Sequence, residues 1–98
     1  MESVKPLDAS EVASRLKDIR GWELKDGKLR KVFEFPGFIE AFGFMASAAL
    51  VAESMNHHPE WSNVYKKVTV ELMTHDAGGI TELDFELALR MNRLLEPR

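Results

Sequence analysis

The chain has 98 residues, 45% of them apolar, with 13 Lys and Arg against 16 Asp and Glu, a net charge of −3, and no Cys. This length suits one domain with a modest core and leaves no room for two. The absence of Cys excludes disulfides, thiolate metal sites and thiol nucleophiles, and it fits a reducing compartment. The nearly balanced charge provides no strong field for nucleic acid, because Lys28, Arg30 and Lys31 form the only tight basic cluster.

The first six residues lack the apolar stretch of a secretory signal. The longest apolar run, about residues 42–52, is far shorter than the ~20 residues that a membrane helix needs. We therefore expect a soluble cytoplasmic protein, with a nuclear location also open, that contacts neither a membrane nor nucleic acid directly.

The first two predicted elements are a short helix and a β-hairpin. Asp8 and Glu11 have the spacing of a capping box at the start of the helix, whose apolar pattern runs to Ile19 and ends at Gly21. Asp26-Gly27 is a strong two-residue hairpin signal between segments of alternating apolar residues. On the second strand Lys31 is the one exception on the apolar face, which otherwise carries Leu29, Phe33 and Phe35.

A long helix is predicted after Pro36-Gly37, and it must stop before Pro59, which disfavours helical geometry in the preceding residue. Its predicted buried stripe consists of Phe38, Phe42, Met45, Ala49 and Met55.

The second half of the chain alternates with a period of two over residues 64–73, which is long enough for one strand or two. After a loop at 76–79, Thr81 and Asp84 have capping-box spacing at the start of a last helix. The predicted fold is α+β, an antiparallel sheet with helices packed on one face. The stripe expected to be buried on the last helix is Leu83, Leu87, Met91 and Leu94.

All three histidines lie at the ends of predicted elements. His57 and His58 follow the long helix, and His75 follows the last strand. Imidazole titrates near neutral pH, so these rings are the best proton donors and acceptors in the chain. Two other readings stand beside catalysis: the rings cap element ends, or they bind Zn²⁺, although no spacing typical of a zinc site is present.

The histidines belong to a longer pattern that resembles the signature of the pterin-4a-carbinolamine dehydratase family, whose animal members are also called dimerisation cofactors of a hepatocyte nuclear factor. The match covers nearly the whole chain. The residues that carry it are Glu53, His57-His58-Pro59-Glu60-Trp61, Asn63-Val64-Tyr65, Thr74-His75 and Asp84.

The resemblance implies a four-stranded antiparallel sheet, with the second hairpin made from residues 61–75. It also implies a lyase that removes water from 4a-hydroxytetrahydropterin, the product of aromatic amino-acid hydroxylases, and that works without metal or organic cofactor. By position, His57, His58 and His75 are the expected catalytic residues, and Asp84 is expected to orient His57 or His75. The pterin pocket is expected to be lined by Pro59, Trp61, Thr74, Asp76 and Ala77, together with Asp84.

A binding module is the alternative function, because animal members of the family also hold the helical dimerisation segment of a transcription factor. Small size and sheet edges further predict a homodimer or a homotetramer.

Overall fold

The computed structural model describes residues 5–97 as one four-stranded antiparallel sheet covered by helices. The elements are α1 (Ala9–Leu16), β1 (Glu23–Lys25), β2 (Lys28–Glu34), α2 (Phe38–Met55), β3 (Glu60–Val64), β4 (Lys67–Leu72) and α3 (Glu82–Arg93), with a 3₁₀ turn at His75–Ala77. The strand order is β1-β2-β4-β3, so β2 and β4 are central and β1 and β3 are edges. The predicted α+β architecture is confirmed.

Helix α1 begins at the predicted capping box. The Asp8 carboxylate accepts the Glu11 N–H at 2.8 Å, and the Glu11 carboxylate accepts the Asp8 N–H at 3.2 Å. The helix ends at Leu16, earlier than the apolar pattern predicted. Ile19 is buried, but it lies in the turn that follows the helix.

Both hairpins turn through residues in the left-handed region. Asp26 and Gly27 have φ values of +52° and +76°, the conformation of the predicted tight turn. Tyr65 has φ +52° and breaks the alternating run of residues 64–73, which therefore forms parts of two strands, β3 and β4. The paired strands place Val68, Val70 and Leu72 inward with at most 1% of their surface exposed.

Lys31, the exception on the apolar face of β2, is held there by polar partners. Its ammonium donates to the Arg20 carbonyl and to Asn92 Oδ1, both at 2.9 Å, and lies 4.5 Å from the centroid of the Phe33 ring. Trp22 Nε1 donates to the same Asn92 oxygen at 3.0 Å. Burial lowers the pKa of Lys31, and the charge of Arg20 adds to that effect. The lysine stem thus covers aromatic core on the helix-covered face of the sheet.

The predicted buried stripe of α2 is partly wrong: Met45 and Met55 are half-buried against the core, but the other three residues are not buried. Phe38 and Phe42 are 50% and 57% exposed, and Ala49 is exposed too. Because α2 is apolar on all sides, its periodicity does not select a face, and the sheet packs against the side that carries small residues. The fully buried positions are Ala41, Phe44, Ala48 and Ala52.

Helix α2 is also, among residues 5–97, the one helix that by length and composition is apolar enough to cross a membrane. Core helices of soluble proteins pass the same test, and here α2 packs its alanine face on the sheet.

The prediction for α3 is partly wrong. Its capping box forms as expected, and Leu87 and Met91 are fully buried. Leu94 lies just beyond the helix and is 37% exposed, whereas Phe85 and Ala88 are buried in its place. The buried face of α3 is therefore rotated about the helix axis relative to the face that leucine spacing predicted, and it includes Asp84.

Candidate active site

The end of α2 and the connection from β4 to α3 meet at one end of the sheet and enclose a cavity of about 210 Å³. This volume is below that of an ordinary small-molecule pocket, so the cavity encloses part of a ligand and leaves the rest in solvent. The lining residues are Asn56, His57, His58, Met73, Thr74, His75 and Asp76.

The end of α2 positions His57. Asn56 adopts the left-handed conformation, with φ 50° and ψ 41°, which Asn tolerates better than most residues. The Asn56 N–H then bonds to the Glu53 carbonyl and the His57 N–H to the Ala52 carbonyl, both at 3.0 Å. The chain therefore turns sharply, and the His57 side chain enters the protein with only 8% of the residue exposed.

A tight turn after β4 positions His75. Thr74 and Gly79 form an isolated antiparallel bridge, and the Thr74 N–H bonds to the Gly79 carbonyl at 2.9 Å. Gly78 has φ +74°, which closes the turn where a side chain would be strained. The bridge buries Thr74 and leaves His75 on the outer side, where 69% of its side chain is exposed.

Asp84 is the centre of a buried polar network. Its carboxylate has no exposed surface and accepts three hydrogen bonds. Oδ1 lies 2.6 Å from His57 Nε2, and Oδ2 accepts from the Thr74 hydroxyl at 2.9 Å and from the Thr81 N–H at 2.8 Å. The carboxylate that caps α3 is thus also the partner of His57. Asp84 was expected to orient His57 or His75, and in the structure its hydrogen-bond partner is His57.

The hydrogen bonds of this network bear on which nitrogen of His57 carries the proton. The Leu83 N–H donates to the Thr81 hydroxyl, and the Thr74 hydroxyl donates to Asp84. The Thr81 hydroxyl must therefore supply the hydrogen of its 2.7 Å contact with Thr74. An ionised Asp84 only accepts, so opposite it a neutral His57 ring carries its proton on Nε2 and keeps its lone pair on Nδ1.

Nδ1 of His57 is accessible from outside. Among residues 5–97 it has no hydrogen-bond partner, and no buried side-chain nitrogen or oxygen in that range lacks one. An unpartnered Nδ1 is therefore in contact with solvent, and His57 lines the cavity.

His75 and His58 each contact a carboxylate of their own. His75 Nε2 lies 2.9 Å from Glu60 Oε1, and the other Glu60 oxygen accepts from Lys28 Nζ at 2.6 Å. The hydrogen bond from Lys28 lowers the pKa of Glu60, and the one from His75 adds to that effect. His58 Nε2 lies 2.8 Å from Glu53 Oε1 at the surface.

The structure brings most of the expected site residues together. The three histidines, Thr74 and Asp76 line the cavity. Asp84 has no surface from which to touch a ligand and reaches the cavity through His57. Trp61 packs partly against the hydrophobic core, and Pro59 and Ala77 lie beside lining residues without being among them.

Sequence reasoning assigned no role to four residues that the structure places in or next to the site. Asn56 and Met73 line the cavity. Glu60 contacts His75 from outside the cavity, and Lys28 contacts Glu60. Glu60 could have been noticed, since it stands within the His-His-Pro-Glu-Trp motif. Lys28 lies far away in sequence, and only the pairing of strands brings it near.

The part of the chain that the structure describes contains no cluster of side chains that supports a zinc site. No group of three or more His, Asp or Glu side chains there is arranged to hold a metal ion. The three imidazoles are each committed to a different carboxylate.

Comparisons with known proteins show the family of the chain. The family model described as pterin 4 alpha carbinolamine dehydratase matches residues 5–94. A relative in Solibacter usitatus named as pterin-4-alpha-carbinolamine dehydratase is 53% identical over 88 residues, covering 90% of this chain and 93% of its own. One in Rhizobium johnstonii with the same name is 54% identical over 89 residues, covering 89% and 88%.

A solved structure shares the fold. The crystal structure titled transcriptional coactivator/pterin dehydratase from Brucella melitensis matches with a TM-score of 0.90 and 45% identity, over 94% of this chain and all of that one. The fold and the site together define a class of protein: a small α+β domain with histidines at one end of its sheet. The chain belongs to the pterin-4a-carbinolamine dehydratase family, as its motif predicted.

Proposed function

We propose that this protein is a lyase that dehydrates 4a-hydroxytetrahydropterin to quinonoid dihydropterin and water, and so recycles the pterin of aromatic amino-acid hydroxylases. The observation that carries the proposal is the pairing of His57 and His75 with separate carboxylates around one cavity. The names of the relatives indicate the substrate class, and the geometry of the site indicates which residues can transfer protons.

The reaction needs one proton removed and one supplied. The base takes the proton from the ring nitrogen next to C4a, and the electron pair of that N–H bond forms the C=N bond. The C4a–O bond breaks at the same time, and the acid protonates the departing hydroxyl to give water. The proton gained by the base balances the proton lost by the acid, so general acid–base catalysis suffices.

His57 is the better candidate for the base. Asp84 holds the proton on Nε2, so Nδ1 has a lone pair in contact with the cavity. The carboxylate also fixes the plane of the ring, and the bonds from Thr74 and Thr81 fix the carboxylate. This arrangement prepares one nitrogen in one orientation before substrate arrives.

His75 is the better candidate for the acid. Its ring lies on the exposed rim, where water can return the proton that each turnover consumes. His58, exposed and bonded to Glu53, is suited to substrate binding. The flat pterin ring, edged with donors and acceptors, would face Asp76 and the backbone of residues 77–79.

Mapping of a bound pterin tests this site assignment. Titration of the ¹⁵N-labelled protein with dihydrobiopterin, a product-like probe, should shift the amide resonances of Asn56, His57, Thr74 and His75. Adenosine, which has a fused heteroaromatic ring but a different hydrogen-bonding edge, is the control ligand. Shifts confined to other surfaces, such as the 520 Å³ groove between α1 and α3, would contradict the assignment.

We also propose that the protein forms a homo-oligomer through the exposed apolar face of α2. Four large side chains on this face are at least half exposed: Phe38 (50%), Ile39 (83%), Phe42 (57%) and Leu50 (75%). Apolar groups concentrated in this way on one helix are unusual for a monomer. A second copy of the chain presents the same face, so two α2 helices can cover each other around a twofold axis.

Charge placed on that face should dissociate the oligomer. We expect Ile39→Asp and Leu50→Asp together to give an 11.2 kDa monomer by light scattering at micromolar concentration. Val64→Asp is the matched control, because Val64 is also 75% exposed but lies on β3. A wild-type monomer, or a variant that stays associated, would contradict this interface.

The alternative occupant of this face is a helical segment of a transcription factor, since the Brucella protein is titled a coactivator as well as a dehydratase. We favour self-association, because the chain itself provides the complementary apolar surface.

A further inference from the structure

We propose that Lys28 and Glu60 form a positioning pair that holds the His75 ring for acid catalysis. The inference rests on the proposed function and adds two residues to it. Neither residue lines the cavity, and both act through His75.

The pair lies on the sheet face that the helices leave open. Lys28 begins β2 and Glu60 begins β3, and β4 separates the two strands. Leu29 points inward against Leu72, so the adjacent Lys28 points to the other face. Glu60 stands opposite Glu71, the neighbour of Leu72, and so shares that open face.

Both oxygens of Glu60 are occupied by different cations or donors. Oε2 accepts from Lys28 Nζ at 2.6 Å, and Oε1 contacts His75 Nε2 at 2.9 Å. The carboxylate therefore cannot rotate without losing one of the two contacts. Lys28 is the more enclosed partner, with 27% of its side chain exposed against 39% for Glu60. The lysine anchors the carboxylate, and the carboxylate orients the imidazole.

The surrounding charges favour an ionised pair. The hydrogen bond to Glu60 raises the pKa of Lys28, with smaller contributions from the charges of Glu60, Glu71 and Asp26. The pKa of Glu60 is lowered chiefly by Lys28, so Glu60 remains ionised through the neutral and mildly acidic range. Glu71 stands directly opposite Glu60, an unfavourable pairing of like charges that the lysine offsets.

The exposed His75 ring needs such an anchor. Its side chain is 69% exposed, and within residues 5–97 its one hydrogen bond is to Glu60. Without that bond, rotation about its two side-chain torsions is opposed by little packing. With it, Nε2 donates to the carboxylate, and the proton that the charged ring gives to the departing hydroxyl is the one on Nδ1. The pair thus reduces the orientational freedom that would otherwise be lost in each turnover.

Charge-neutral variants of each partner test the pair. Glu60→Gln should lower kcat by about 10-fold to 100-fold with KM nearly unchanged, and Lys28→Met should lower kcat by a smaller factor. Lys28→Arg, which keeps the donor, should restore most of the rate. The matched control is the exposed pair Lys66–Glu34 at 3.5 Å, where Lys66→Met and Glu34→Gln should leave kcat unchanged.

Two further measurements separate this inference from the proposed function. In a His75→Ala background, Glu60→Gln should add no further loss, because its effect passes through the ring. Independently of turnover, ¹⁵N chemical shifts of the His75 ring in its neutral form, in which only one nitrogen is protonated, should show the Nε2–H tautomer in the wild type and a mixture in Glu60→Gln.

The outcomes are distinguishable. If His75→Ala retains full turnover, the proposed acid is wrong, whatever the tautomer shows. If His75→Ala is inactive while Glu60→Gln keeps wild-type kcat and an unchanged tautomer, the positioning pair alone is overturned. Losses in Glu60→Gln and His75→Ala that multiply in the double variant would also overturn it.

Discussion

Replacing His57 or His75 by alanine should lower the kcat of pterin carbinolamine dehydration by about 10²-fold or more for each residue. Each substitution removes one of the two groups proposed to transfer protons at the cavity, while Asp84 and Glu60 remain in place. The double variant should lose less than the product of the single losses, because residues that act in one step are not additive. Steady-state kcat and KM, with thermal melts of every variant, check this expectation.

His58→Ala should raise KM more than it lowers kcat, since that ring is bonded to Glu53 at the rim of the cavity. Arg93→Ala, on the exposed end of α3, is the control and should leave both constants unchanged. If the histidines only cap element ends, His57→Ala and His75→Ala will lose up to ~1 kcal/mol of stability and keep their turnover per folded molecule.

Asp84 should be the residue whose loss costs most in stability. Asp84→Leu removes the acceptor of three buried hydrogen bonds and leaves a threonine hydroxyl, the Thr81 N–H and His57 Nε2 without their partner. We expect the free energy of unfolding to fall by about 3 kcal/mol. For a domain of this size that corresponds to a decrease in Tm of roughly 12–24 °C. Calorimetry or circular dichroism melts give the measurement.

Asp84→Asn separates stability from catalysis. The amide keeps the shape of the carboxylate and one accepting oxygen, so it should fold with a smaller loss in Tm. Its NH₂ group cannot accept from His57 or Thr74, so the tautomer of His57 is no longer fixed and kcat should fall by about 10²-fold. Glu82→Gln, exposed in the same first turn of α3, is the control. An Asp84→Asn enzyme with wild-type kcat would contradict the role of Asp84.

The sequence was sufficient where a local rule decides the structure. Capping boxes at Asp8 and Thr81 and the Asp26-Gly27 turn formed as expected, since each depends on residues at most three apart. The uniform apolarity of α2 explains the main error there. With apolar residues on every side, the packing against the sheet chooses the face, and it chose the small side of Ala41 and Ala48.

The same distinction between local rules and long-range packing applies to the candidate site. The motif pointed to the three histidines and to Asp84 as a partner of one of them, but only the fold shows that the partner is His57. The sequence marked Lys28 only as part of a basic cluster, because its contact with Glu60 spans 32 positions and depends on strand order. Contacts set by sheet topology cannot be read from spacing.

The most direct test of the central claim is the rate at which the purified protein dehydrates freshly generated 4a-hydroxytetrahydropterin, followed by stopped-flow absorbance after exhaustive treatment with a chelator. Since proton transfer between the substrate and His57 and His75 suffices for this reaction, we predict a large acceleration over the spontaneous rate, first order in protein and unaffected by the chelator. The same preparation of the His57→Ala, His75→Ala double variant should approach the spontaneous rate. A wild-type rate equal to the spontaneous one, or an acceleration that the chelator abolishes by removing a metal ion, would contradict the account.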